Sequence, residues 1–264
     1  MKKAKELTLL LMLIPTLCLT GCSQKTKSTL FQGHVFHRVF MGKHFSETKT
    51  PSKKEARSVL TVNVVKQLGG ISQIRYDNGS FSISNGQSNL DTSGNGTYAN
   101  CQKDELGRPA IVDAILDSNS LGKNVPPKST SKPLGYRQRT LNTYYKKAFV
   151  YGRLIPYSLS GGIQSFNTAD MGNVFTQTEW AARAHTQDSK GMAYYTGLIK
   201  DAIDQGKVVR YQAVNIYEGK SKIPMGTHIQ AKSTDGQFKV NSFIPNIQSG
   251  IEIDYGSGIV SRLR

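Results

Sequence analysis

The stretch from Lys146 to Thr196 constrains the fold more than any other part of the chain. KKAFVYGRLIPYSLSGG reads as a strand run, with Ala148, Val150, Leu154, Ile155 and Leu159 suited to a half-buried strand pair and Gly161-Gly162 supplying a turn. A polar turn, NTADMGN, follows, and VFTQTEWAARAH then reads as a helix that continues toward Thr196. Strand, loop and helix in that order bring a strand end beside a helix, where side chains from both can share one site. The residues expected at that junction are Arg153 and Ala182. Neither is a usual general base or metal ligand.

The flanks extend the pattern. Arg57 to Leu68 (RSVLTVNVVKQL) fits a strand or a helix, and SQIRYD and SFSISN around Asn78-Gly79 have the signature of a β-hairpin. The Gly-rich DTSGNGTYANCQ reads as a loop, and PAIVDAILDSNS as a short helix opened by Pro109, with Ile111, Ile115 and Leu116 on one face. Ser189 is placed to cap a helix running through Gln205, with Met192, Tyr195, Leu198, Ile199, Ala202 and Ile203 on its apolar stripe. Val208 to Tyr217 alternates as a strand, His228 to Phe243 as a hairpin around Asp235-Gly236, and Ile251 to Val260 turns at Gly256-Ser257-Gly258. Without a regular βαβ alternation, the class is α+β with a mainly antiparallel sheet.

The N-terminus points to a compartment. Lys2, Lys3 and Lys5 precede a mostly apolar run from Leu9 to Leu19, too short to span a bilayer comfortably, so residues 1–21 read as an export signal. Leu19-Thr20-Gly21-Cys22 resembles a bacterial lipobox. That implies cleavage before Cys22, lipidation of its thiol and anchoring outside the cytoplasm, since two acyl chains hold where one does not. Residues 22–56 are basic and weakly periodic, a tether, in which LFQGHVFHRVFMGKHF fits equally a short helix on an anionic membrane or plain linker. Its His34, His37 and His44 lack Cys or carboxylate partners for a metal site. Residues 57–264 are expected to form one globular domain. Cys101 is then the only thiol of the mature chain, which excludes an internal disulfide and leaves an ordinary, partly buried side chain.

Charge narrows the partners. The 264 residues carry 34 Lys and Arg against 18 Asp and Glu, a formal +16, and the excess persists beyond the N-terminal segment. Such a surface favours polyanions, whether nucleic acid, anionic lipid or wall polymer, and does not choose among them.

Four segments in order, PLGYRQ from Pro133, YSLSGG from Tyr157, NVFTQTEW from Asn173 and FIPNIQ from Phe243, resemble bacterial DNA/RNA non-specific endonucleases, above all the membrane-attached DNA-entry nucleases. The resemblance spans about residue 57 to the C-terminus. It implies a ββα-metal (His-Me finger) core within a larger α+β domain. It also implies an Asp-Arg-Gly-His motif whose His is the general base, and a helical Asn that holds one Mg²⁺. The matching residues here are Val150-Tyr151-Gly152-Arg153 and Ala182, and a further helical Glu of the family matches Thr196. Gly152, Asn173, Gln177 and Trp180 keep the family pattern.

Arginine stays protonated and alanine has no donor atom, so base and metal ligand are both missing at the expected places. Arg153 instead suits a phosphate, as do Arg137, Arg139, Lys146 and Lys147. The expectation is a lipid-anchored, endonuclease-like protein that binds nucleic acid, DNA in the first place and without regard to sequence, with little or no phosphodiesterase activity. Two alternatives stay open. One is an active Mg²⁺-dependent endonuclease whose metal site has moved to Glu179 and His185, at i and i+6 of the expected helix. The other is a surface interaction or immunity-like protein whose basic surface is incidental.

Overall fold

The computed structural model describes residues 50–125, 127–128 and 131–262; the export signal, Cys22, the basic segment of 30–45 and its three histidines lie outside these. In chain order the elements are α1 (Lys53–Arg57), α2 (Val62–Gln67), β1 (Ile74–Asp77), β2 (Ser80–Ile83), β3 (Tyr98–Lys103) and β4 (Pro109–Leu116). Next come β5 (Phe149–Arg153), α3 (Tyr157–Ser160), β6 (Val174–Thr178), α4 (Glu179–Arg183), β7 (His185–Thr186), β8 (Ser189–Lys190) and α5 (Met192–Asp204). The chain ends with β9 (Val209–Ile216), β10 (Gly226–Ser233), β11 (Lys239–Pro245), β12 (Ile251–Ile253) and β13 (Val260–Arg262).

A seven-stranded sheet in the order β1-β2-β11-β10-β9-β4-β3 organises these elements, and its pairings are all antiparallel. The α+β class with a mainly antiparallel sheet is therefore as the sequence implied. Side chains alternate across the sheet with period two. On β9, Val209, Tyr211 and Ala213 are buried while Arg210, Gln212 and Val214 are half-exposed. The buried stripe of α5, formed by Met192, Tyr195, Thr196, Ile199, Ala202 and Ile203, joins the same apolar cluster as those β9 residues. The spacing is that of one helix face. Ala56, Val59, Val64 and Leu68 from α1, α2 and their connection also join that cluster, together with Phe81 and the Phe243 ring stacked on it.

Several elements differ from the sequence reading, each for a physical reason. Pro109–Leu116 is a strand, not a helix, because it sits between β3 and β9 and buries side chains on both faces. Burial on both faces erases the alternation that identifies a strand, and the β-branched Ile111, Val112 and Ile115 suit it. Tyr98–Lys103, read as loop, pairs with β4 at the sheet edge. Val174–Thr178 is a strand paired with β5, so the helix expected over the whole of VFTQTEWAARAH is confined to Glu179–Arg183. Thr178 starts it there, its Oγ1 accepting from Ala181 N at 3.2 Å. Leu154 to Leu159 leaves the strand and runs into α3. Ser189 lies in β8, and α5 starts after Gly191. The folded unit also begins before residue 57: Ser52 and Glu55 form a capping box on α1, and Ala56 is fully buried.

The Asn78-Gly79 hairpin is present, with both residues at positive φ, 49° and 95°. Gly79 has a second constraint, since a Cβ there falls 2.3 Å from Cζ2 of the buried Trp180. Gly79→Ala therefore forces an overpacked contact as well as backbone strain. It is expected to cost about 2–4 kcal/mol in urea denaturation, while Gly236→Ala, with open space around it, costs only the strain of its positive φ.

Candidate functional site

β5, β6 and α4 form a ββα unit, in register Phe149↔Thr178, Val150↔Gln177, Tyr151↔Thr176, Gly152↔Phe175 and Arg153↔Val174. The unit is tied down by side-chain amides. Asn246, which follows β11, accepts from Thr178 N at 2.8 Å and donates to Thr176 O at 3.0 Å and Pro224 O at 3.1 Å. Gln248 accepts from Trp180 N at 2.9 Å, and its amide nitrogen donates to Lys147 O at 3.3 Å. Both carboxamides are buried and serve backbone groups that β6 and the first turn of α4 leave unpaired. Asn173 does the same for the turn before β6, accepting from Ile155 N and donating to Ile155 O and Thr168 O. Gly152 is required because a Cβ would meet Gln177 Oε1 at 2.5 Å. The indole of Trp180 donates to Ser189 Oγ at 3.0 Å. Gly152, Asn173, Gln177 and Trp180 thus hold the scaffold.

Arg153 stands at the end of β5, half-buried, and donates from Nε to Thr168 O at 3.1 Å and from Nη2 to Pro127 O at 3.2 Å. Burial lowers its pKa from the usual guanidinium value, yet the group remains a cation near neutral pH. Thr168 Oγ1 is buried and has no hydrogen-bond partner among the described residues. A guanidinium held by two carbonyls and by no carboxylate keeps donors for an anion. It is no proton acceptor.

Ala182 lies on α4 as expected, without a donor atom. Thr196 is buried on α5, where its hydroxyl donates back to Met192 O at 3.0 Å. Glu179 is nearly buried and fully engaged: Oε2 accepts from Lys147 N at 2.7 Å and Oε1 pairs with Arg183 at 3.2 Å. Hydrogen bonds to a charged group are worth about 1.5–3 kcal/mol, so drawing Glu179 away to a metal gives up real stability. His185 does not share a face with it. α4 ends at Arg183, and His185 opens β7, exposed, with Nδ1 donating to Arg183 O at 3.0 Å. Among the described residues no three His, Cys, Asp or Glu side chains form a group able to hold a metal ion. Mg²⁺ demands near-octahedral oxygen donors. The residues at this place do not fit it.

The electrostatics around β5 were not apparent from overall charge. Residues 118–169 contain eight Lys or Arg and no Asp or Glu. Within them Arg137, Arg139, Lys146 and Lys147 are exposed, and among the described residues none of the eight forms an ion pair. Thr140 bridges Lys147, with Leu141 N donating to Lys146 O and Ala148 N to Arg139 O, so 139–148 is a hairpin-like arm that feeds β5. A second small core (Leu141, Ala148, Phe149, Ile223, Ile251 and Val260) fastens this arm to β12 and β13. Arg137 Nε donates to Ser257 O at 2.9 Å, and Arg139 Nη1 donates to Val260 O. A cleft of about 550 Å³ lined in part by Glu55, Ile247, Ile251 and Tyr255 includes no candidate site residue. Burial pushes the Cys101 thiol up to about 12, with Asp170 adding to the rise, so it is no nucleophile near neutral pH.

No family model matches the chain. The fold is similar to NucA from Streptococcus agalactiae with a magnesium ion bound, at 29% identity and TM-score 0.72, covering 78% of this chain and 100% of that one. The metal-free form of the same NucA gives 30% identity and TM-score 0.71 over the same shares. Sda1 nuclease with a bound zinc ion, at 19% identity and TM-score 0.52 over 63% of this chain and 81% of that one, shares the fold alone. At 30% identity across the whole of NucA, with the ββα unit and its amide anchors in place, the chain belongs to the bacterial non-specific endonuclease family.

Proposed function

We propose that this protein holds nucleic acid outside the cytoplasm, tethered to the membrane through lipid on Cys22, and does so with little or no phosphodiester hydrolysis. The observation that carries the reading is the pair Arg153 and Ala182 at the end of β5 and on α4, a cation and a methyl group where the family resemblance calls for a base and an oxygen ligand. A positioned general base contributes about 10²–10⁴-fold, and a metal ion adds stabilisation of the developing phosphorane charge. Losing both leaves little rate. Binding needs neither group. Phosphates are gripped by charge-assisted hydrogen bonds, which Arg153 and the exposed Arg137, Arg139, Lys146 and Lys147 are placed to give without regard to sequence.

The domain reading belongs to the same proposal: 1–21 is removed on export, the following basic segment tethers, and the endonuclease-like domain follows. The relocated-metal alternative is less well supported, because Glu179 is already paired and His185 stands outside α4. A surface interaction role has no dedicated observation behind it.

Purified full-length protein is expected to leave plasmid DNA intact with Mg²⁺ or Mn²⁺ as it does with chelator. It should nonetheless bind the DNA with an affinity that falls steeply between low and moderate salt. Joint replacement Lys146→Gln and Lys147→Gln should lower the slope of log affinity against log salt by about 1–2. Nicking that chelator abolishes and Glu179→Ala removes would replace this reading with the relocated-metal one. Separately, Cys22→Ser should shift the protein from the membrane fraction to the soluble extracytoplasmic fraction and abolish incorporation of labelled acyl chains. Retention of both would exclude the lipid anchor.

A further inference from the structure

We infer that the basic face of this protein selects single-stranded over duplex nucleic acid, an inference that rests on the nucleic-acid-binding reading above. The cations of residues 118–169 are interleaved with five tyrosines, at 136, 144, 145, 151 and 157. Two of them meet beside Arg153. Tyr151 and Arg153 lie two residues apart on β5 and so project from the same face, and the Tyr136 ring packs edge-on against Tyr151 at 4.7 Å. Both tyrosines are half-exposed. Tyr144, at the tip of the arm that feeds β5, is 60% exposed and meets Tyr145 edge-on at 5.0 Å. A surface that tracks duplex phosphates needs cations and hydrogen-bond donors only. Exposed aromatic rings between them are useful where base faces are unstacked and open, as in a single strand.

A cleft supports the same ligand. It is an open groove of about 260 Å³ lined by Arg137, Gln138 and Arg139 and by Gly258, Ile259 and Val260. That is below the range of about 300–1,000 Å³ usual for a small-molecule site and suits one planar base rather than a base pair. Ile259 is 55% exposed and offers an apolar wall. The two guanidinium groups opposite are held by the carbonyls of Ser257 and Val260, so they are placed before any ligand arrives. A planar guanidinium stacks on a base and pairs with the neighbouring phosphate. Asp254 also stands near Arg137, but its carboxylate is taken up by Ser257 and by the backbone N–H of Gly256 and Ser257. These neutral donors hold the carboxylate in its charged form, so it opposes a phosphate at that rim, and the two guanidinium groups outnumber it.

The test is fluorescence anisotropy with the full-length protein and one labelled oligodeoxynucleotide, used single-stranded or annealed to its complement, at one fixed moderate salt concentration. The single strand is expected to bind about tenfold or more tightly than the duplex. Tyr144→Ala, an exposed change that leaves the core intact, should weaken single-strand binding by about tenfold and narrow the gap between the two forms. Ile259→Asp should do the same through the cleft. Equal affinity for the two forms, or a single-strand preference that survives both substitutions, overturns the inference while leaving nucleic-acid binding standing. Binding of neither form overturns the reading beneath it.

Discussion

The fold depends on two buried carboxamides. Asn246 and Gln248 reach from the end of the central sheet into the ββα unit and satisfy Thr178 N, Thr176 O and Trp180 N, the backbone groups that strand and helix geometry leaves unpaired at that junction. In a buried setting an orphaned donor or acceptor costs about 1–3 kcal/mol, so these bonds decide where β6 ends and α4 begins. Trp180 then locks the helix against the Gly79 turn, and Gly152 lets β5 lie close over Gln177. Those contacts fix the junction that carries Ala182, and the pairing of Arg153 with Val174 together with the Thr168 and Pro127 carbonyls fixes Arg153 at the far end of the same strand pair.

Scaffold and chemistry are therefore separable in this molecule. The residues that carry the family pattern in the sequence, Asn173, Gln177, Trp180, Asn246 and Gln248, are buried and hold backbone or packing together. The positions that match the family's base and metal ligand, Arg153 and Ala182, are half-exposed in the same unit. None of the bonds made by Asn173, Asn246 or Gln248 involves the side chain of Arg153 or Ala182, so the scaffold does not depend on a base or an oxygen ligand at those two positions. What remains at the site is charge: a guanidinium held by Thr168 O and Pro127 O, and beyond it an arm of arginines, lysines and tyrosines fastened by a second small core.

Much of the candidate site was legible because the evidence for it is local. The Asn78-Gly79 turn, the strand at β9, the β10–β11 hairpin and the four ordered segments are short-range patterns, and they survive into the structure. Three elements were misread for a common reason. β4 buries both faces, β6 runs directly into its helix, and β3 carries polar edge residues, so none shows the clean alternation that marks a strand. The helix face expected to carry both Glu179 and His185 differs for another reason. Glu179 and His185 sit six residues apart on paper, but the helix ends between them once the chain turns at Ala184 to make β7.

The sequence by itself determined the excess of positive charge, the family pattern, and the presence of an arginine at position 153 and an alanine at position 182, because each resides in the identity of single residues or short motifs. Only the tertiary structure decided that Glu179 is spent on Lys147, that Arg153 is held by carbonyls from two separate loops, and that Arg137 and Arg139 share a cleft with the C-terminal hairpin. Those facts join residues from 15 to 121 positions apart. No local pattern encodes them; long-range pairing and burial do.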